Sequence, residues 1–167
     1  PSGYTLAHHL MNDGHNVVGI DGLKIEPLPP EAYAPIRDIT QLYENLSERT
    51  LWGFGGVAEY GITARWNKNY LKVIRLLLER RSQFALYGGV RLGSTLTLDD
   101  CTTLGFDHVA LCLGAGKPHM PDLKGGFPKG VRMASDFLMG LQLTGAYKKD
   151  SIANLQVRLP IVVVGGG

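Results

Sequence analysis

No stretch of this 167-residue chain stays apolar for the roughly 20 residues that a membrane-spanning helix needs. Nor do its opening residues, Pro1-Ser2-Gly3, read as a secretory leader. They lack an initiator methionine and read instead as the continuation of removed upstream sequence. Charge of one sign is scarce as well: the formal net charge is +2 and the pI about 8.7. Nucleic-acid partners call for a concentrated basic face, so that balance argues against them. Cysteine is limited to Cys101 and Cys112, with no C-x-x-C pair and no metal-ligand spacing. That excludes a dithiol reductase centre and predicts two reduced structural thiols in a cytoplasmic protein. No nucleophile elbow or triad signature is present. His8 and His9 are helix neighbours pointing about 100° apart, and His108 and His119 have no partners at metal-binding spacing. Repeats and low-complexity segments are missing too.

What is present is the composition of a folded domain, 44% hydrophobic and 19% charged, on a chain long enough to bury a core. Glycine is abundant: 22 residues exceed the usual share of about 7%. Many fall in clusters at 53–56, 88–89, 114–116, 125–126 and 165–167. Such clusters mark places where the backbone turns sharply or approaches a ligand.

Periodicity predicts a helix over Tyr4–Asn12, with Leu6, Ala7, Leu10 and Met11 on one face and Gly14 as its C-terminal cap. His15–Asp21 reads as a buried strand, and the proline-rich stretch from Lys24 to Pro35 as irregular. A short helix is expected over Asp38–Ser47, then a glycine-bearing loop over Leu51–Thr63. The clearest helix spans Lys68–Arg81: Tyr70, Val73, Ile74, Leu77 and Leu78 recur at helical spacing, opposite Lys72, Arg75 and Glu79. Its basic end, Arg80-Arg81, fits either a complement to the helix C-terminus or a phosphate patch, and the first is the commoner role. Gln83–Tyr87 reads as a strand. Thr97-Leu-Asp-Asp100 carries a capping pattern that opens a helix to Leu104. Asp107–Leu113 is a continuously apolar strand, Ala134–Leu143 a helix, and Leu159–Val164 a last apolar strand. Strands alternating with helices predict an α/β fold with a mostly parallel sheet.

Pro1-Ser2-Gly3, a helix, and a strand ending in Asp21 read as the tail of a G-x-G-x-x-G dinucleotide fingerprint. There, glycines let the backbone touch a pyrophosphate held at a helix N-terminus. An acid about 20 residues on accepts hydrogen bonds from the ribose. Taken alone, the half-motif fits an ordinary helix–strand unit equally well.

Six segments in order shift that balance: P-S-G with G-H-N-V-V within 1–18, G-G-V-A-E-Y-G-I at 55–62, T-L-T-L-D-D at 95–100, D-H-V-A-L-C-L-G-A-G-K-P at 107–118, G-V-R-M-A-S-D-F-L at 130–138, and V-V-V-G-G-G at 162–167. In these the chain resembles the flavoprotein subunit of glutamate synthase and the matching FAD/NADPH region of dihydropyrimidine dehydrogenase. The resemblance implies a Rossmann-like FAD-binding domain over 1–157, with 22–50 as an insertion. It implies that 158–167 is the first strand and glycine turn of an NAD(P)H-binding domain. Pro1, Ser2 and Gly3 would form the fingerprint's tail, with Gly3 against the FAD pyrophosphate. Asp21 would bind ribose, where the family usually has Glu. Gly55, Gly56 and Val57 would turn beside the flavin, and Gly114 and Ala115 would sit near the dinucleotide. Gly165 and Gly167 would open the NADPH site. The chain departs from the family at Leu113, where a Thr is usual, and at I-T-A-R-W-N-K (62–68), which lacks the family's prolines.

The implied parent enzyme passes hydride from NADPH to FAD and electrons onward, to an iron–sulfur subunit or domain. The piece alone is expected to be inactive, with the second nucleotide site incomplete. A sheet lacking its central first strand would leave unpaired backbone and an apolar hole. Ile161–Val164 is therefore expected to fill that slot, within the chain or exchanged between two copies. Two other readings stay open: a dehydrogenase domain binding NAD(P) directly, and a non-catalytic Rossmann-like scaffold for subunit contact.

Overall fold

A computed structural model describes residues 2–42, 55–56, 70–114, 118–122, 124, 128–146 and 148–165. The chain is a mixed α/β protein built around one parallel pair of strands. Helix α1 spans Ser2–Asn12 and strand β1 spans Val17–Asp21. Two short 3-10 turns follow at Pro30–Tyr33 and Ile39–Leu42. Helix α2 is Tyr70–Glu79 and strand β2 is Phe84–Gly88. Helices α3, Leu98–Thr103, and α4, Ala134–Leu143, come last.

The end of α1 follows from one residue. Gly14 takes φ +91°, a left-handed conformation that costs glycine nothing sterically. It lets the Gly14 N–H donate to the Met11 carbonyl at 3.1 Å and the His15 N–H to the Leu10 carbonyl at 3.0 Å. Those two bonds satisfy carbonyls that the end of a helix would otherwise orphan.

Strands β1 and β2 align from Val17 against Phe84 to Asp21 against Gly88. Both helices lie on one face of the pair. Ala7 and Met11 from α1 meet Leu78 from α2, with Tyr4, Val17 and Phe84 packed around them. The opposite face is open among the described residues: Val18 and Ile20 are both exposed, so β1 buries one side, not the two that its apolar run predicts.

The segment at 22–50, expected to be an insertion, contributes a second core. Leu28 and Ala32 are buried against Leu76 of α2, with Ile36 beside them. Arg80 donates to the Ala32 and Ala34 carbonyls at 2.6 and 2.8 Å. Arg81 donates to the Asn12 side-chain oxygen at 2.7 Å. The two arginines thus tie separate segments together, a role different from both a phosphate patch and a simple helix-end complement.

Helix α2 corrects the expected amphipathic face. Lys72 and Arg75 are buried, at 1% and 2% exposure, while Tyr70 and Leu77 are exposed. Packing on two sides explains this, because Leu78 faces α1 and Leu76 faces the 28–36 segment. Burying a cation is costly unless it is paired. Arg75 is paired, with its Nε 3.0 Å from a carboxylate oxygen of Glu79 one turn on.

Two expected strands do not form. The 107–113 run joins no ladder, and Leu111 and Leu113 are exposed. A continuously apolar run needs strands on its flanks, and among the described residues the sheet stops at β1 and β2. Ile161–Val164 likewise pairs with nothing described and lies 54% to 86% exposed. Among the described residues it fills no slot in the sheet. The sheet is thus a parallel pair, smaller than the mostly parallel sheet expected.

Helix α3 carries the expected capping box. The Asp100 N–H donates to the Thr97 hydroxyl, while the Thr97 N–H and hydroxyl donate to the Asp100 carboxylate at 2.8 and 2.7 Å. The Thr97 hydroxyl, then its N–H, hold the Asp100 carboxyl below the usual carboxylate range. A lowered folded-state pKa favours folding above the ordinary carboxylate value, and that gain is lost as pH falls through the lowered one. Amide protection factors across 98–103, taken relative to the intrinsic exchange rate at each pH, are expected to fall on acidification through that window, and the Asp100→Asn variant should lack this pH dependence. No helix among the described residues is long and apolar enough to cross a membrane.

The reassigned face of α2 gives a direct test. Leu78→Ala is expected to cost about 2–5 kcal/mol in urea unfolding, and Leu77→Ala to stay within about 0.5 kcal/mol of the parent chain. Equal losses would restore the face that periodicity alone suggests.

Candidate functional site

The aligned strands end level with one another, so the residues following Asp21 and Gly88 share one rim of the sheet. The chain closes over that rim tightly. The Gly89 N–H donates to the Leu23 carbonyl at 2.7 Å, and the Val90 N–H to the Asp21 carbonyl at 3.0 Å. A Cβ on Gly88 would sit 2.5 Å from the Ile25 nitrogen, so no other residue fits there. Gly88 thus serves a close approach of backbone to backbone, and Gly89 a turn at φ +72°.

Asp21 organises this rim. One carboxylate oxygen accepts from the Leu23 N–H at 2.9 Å, closing a local turn, and the other accepts from the Gly55 N–H at 2.7 Å across 34 residues of chain. Gly55 has φ +80°, and a Cβ there would be 3.5 Å from the Tyr4 hydroxyl oxygen. The first turn of α1 therefore faces the same place as the end of β1. On the other side of α1, a Cβ on Gly3 would lie 3.4 Å from that of Cys112, which brings the 107–114 segment past the helix start.

Of the residues expected to bind a nucleotide, Asp21 and Gly55 are thus joined by a hydrogen bond; Gly3 precedes Tyr4, whose hydroxyl lies near Gly55, and itself lies against Cys112. Ser2 and Gly56 adjoin them in sequence. Gly114 follows two residues after Cys112 in a turn with φ +65°, and a Cβ there would meet nothing within 4 Å. Gly165 is open in the same sense, and no described contact joins it to this group. Pro1, Val57, Ala115 and Gly167 lie outside the described residues. Cys101 is buried in α3 and Cys112 is exposed; neither is disulfide-bonded.

The arrangement has definite chemical capacities. A carboxylate offers about four acceptor positions, and Leu23 and Gly55 occupy two of Asp21's, leaving others for a hydroxyl-bearing ligand. The start of α1 is the positive end of a helix dipole, and its first turn carries no acidic side chain, which suits an anion. The rim also includes Arg91, which sequence reasoning missed. No spacing rule links a residue after β2 to the end of β1, and the one signal available was the glycine at position 22, directly after Asp21.

Comparison with known proteins adds little chemistry. No family model matches the chain, and no solved structure matches it. It is 50% identical, across all 167 of its residues, to a protein of Rickettsia prowazekii (strain Madrid E) described as uncharacterized. The chain spans 24% of that relative's length, and the segment at 22–50 lies inside the matched span.

Replacing Asp21 with Asn leaves one carbonyl oxygen for two N–H donors. Asp21→Asn is expected to destabilise the chain by about 1–3 kcal/mol, the cost of a part-buried donor without an acceptor. Urea unfolding measures it, and a change below about 0.5 kcal/mol would show that the carboxylate does not hold Gly55 and Leu23 together.

Proposed function

We propose that this chain is the FAD-binding part of a flavoprotein oxidoreductase, similar to the flavoprotein subunit of glutamate synthase, that accepts hydride from NADPH. The observation that carries the reading is the bond that joins Gly55 to Asp21, with the start of α1, which carries Gly3, placed near Gly55 by Tyr4. The resemblance assigns these residues, widely separated in sequence, to one dinucleotide. The Gly55 N–H donates to Asp21, and the hydroxyl of Tyr4, the residue after Gly3, lies close to Gly55. Open α/β sheets bind nucleotides at the carboxyl ends of their strands, and this rim lies there.

The donor set fits the cofactor. The N–H groups at the start of α1, beside Ser2 and Gly3, would face the pyrophosphate. The remaining acceptor positions of Asp21 would take ribose hydroxyls. Gly55 and Gly56 would allow close backbone approach to the flavin ring, and Gly114 leaves its own amide accessible. FAD, when bound, supplies the hydride and electron chemistry itself; the protein binds, orients and tunes it. Residues 158–167 would belong to an NADPH-binding unit, with an iron–sulfur subunit or domain taking the electrons.

The test is the absorbance spectrum of the full-length protein. A yellow protein with flavin bands is expected, and Asp21→Ala should weaken FAD by roughly ten- to hundredfold, the worth of hydrogen bonds to a charged acceptor. A colourless protein that takes up no added FAD, or one that binds NADPH alone at this rim, would overturn the proposal.

A further inference from the structure

Arg91 turns back from the end of β2 onto the end of β1. Its Nε and Nη2 lie 3.3 Å, and its Cζ 3.4 Å, from the point where a Cβ on Gly22 would stand. Those distances put that point obliquely against the Nε–Nη2 edge of the guanidinium, to one side of its plane. The neighbouring backbone is well held: the Val90 N–H is fixed to the Asp21 carbonyl, and the Arg91 carbonyl accepts from the Thr95 N–H at 2.9 Å and the Leu96 N–H at 3.2 Å. The side chain is exposed and, among the described residues, makes no ion pair or hydrogen bond. A planar cation is thus set against a glycine that leaves it room, one residue from the Asp21 carboxylate.

We infer that Arg91 is a recognition residue for the adenine ring of the bound dinucleotide, stacking its guanidinium plane on the purine while Asp21 holds the adjoining ribose. This rests on the proposed nucleotide site. A guanidinium stacks readily on aromatic faces, and a base attached to a ribose on Asp21 lies next to Gly22 and the side chain covering it. A cation beside a ribose also suits a 2′-phosphate, as in NADP-binding domains. Here the Asp21 carboxylate would face that phosphate, and like charges repel.

The experiment is fluorescence titration of the full-length apoprotein with FAD. Arg91→Ala is expected to weaken FAD roughly three- to fivefold, the range of a partly exposed cation–π contact. Gly22→Ala, which lifts the guanidinium from its seat without removing charge, should weaken it in the same direction. Arg91→Lys, keeping the charge and losing the plane, should recover only part of the loss. Unchanged affinity in Arg91→Ala, or full recovery by lysine, would overturn the inference even if Asp21→Ala still weakens FAD. Failure of the parent protein to bind FAD would remove the site itself. Thermal unfolding midpoints equal to the parent's establish that the variants are folded.

Discussion

Parallel pairing of β1 with β2 is the constraint from which the rest of the described structure follows. Parallel strands cannot be joined by a tight hairpin, so the chain must cross over between them. The crossover carries α2, and α2 stays on the sheet because Leu78 meets Ala7 and Met11 of α1. Parallel alignment also forces both strands to end at the same level, Asp21 beside Gly88. Helix α1 runs back along β1, so its first turn returns to that level, where Tyr4 meets Gly55. The rim with Asp21, Gly22, Gly55 and Arg91 is a consequence of strand direction before it is a consequence of any side chain.

Features governed by neighbours in sequence could be read from the sequence. Helix α4 occupies Ala134–Leu143 as expected, Gly14 ends α1, and Thr97 and Asp100 form their capping box. Each depends on residues within one turn of each other. The faces of α2 could not be read, because spacing reveals how apolar a face is and not what lies against it. Leu76 is covered by Leu28 and Ala32, which the sequence presents as part of an irregular proline-rich stretch. The runs at 107–113 and 161–164 have strand composition, yet a strand exists only where another offers its edge.

The candidate site divides along the same line. Gly3 and Asp21 follow from a local spacing rule, whereas the bond from Gly55 to Asp21 spans 34 residues, and nothing in either neighbourhood announces it. The position of Arg91 depends on the register of β1 against β2, together with an absent side chain at Gly22. Neither leaves a pattern along the chain. Buried charge on α2 is of the same kind: Glu79 lies one turn beyond Arg75, a spacing equally common on solvated helices, and only the covering segments make that pair an internal one.

Asp21 is where fold and site become inseparable. Its carboxylate closes the turn to Leu23 and holds Gly55, so removing it disturbs both segments before any ligand is considered. A diol hydrogen-bonded to its remaining lone pairs would therefore be coupled to the placement of Gly55 and Tyr4, and through Gly22 to Arg91. A carboxylate committed to two backbone donors is also restricted in its rotamer, which lowers the ordering cost of accepting a third. The side chain is short, and a longer acid at this position would have more freedom to lose. Under the proposed function, preorganisation through Leu23 and Gly55 would let an aspartate serve where the resembling family usually carries glutamate.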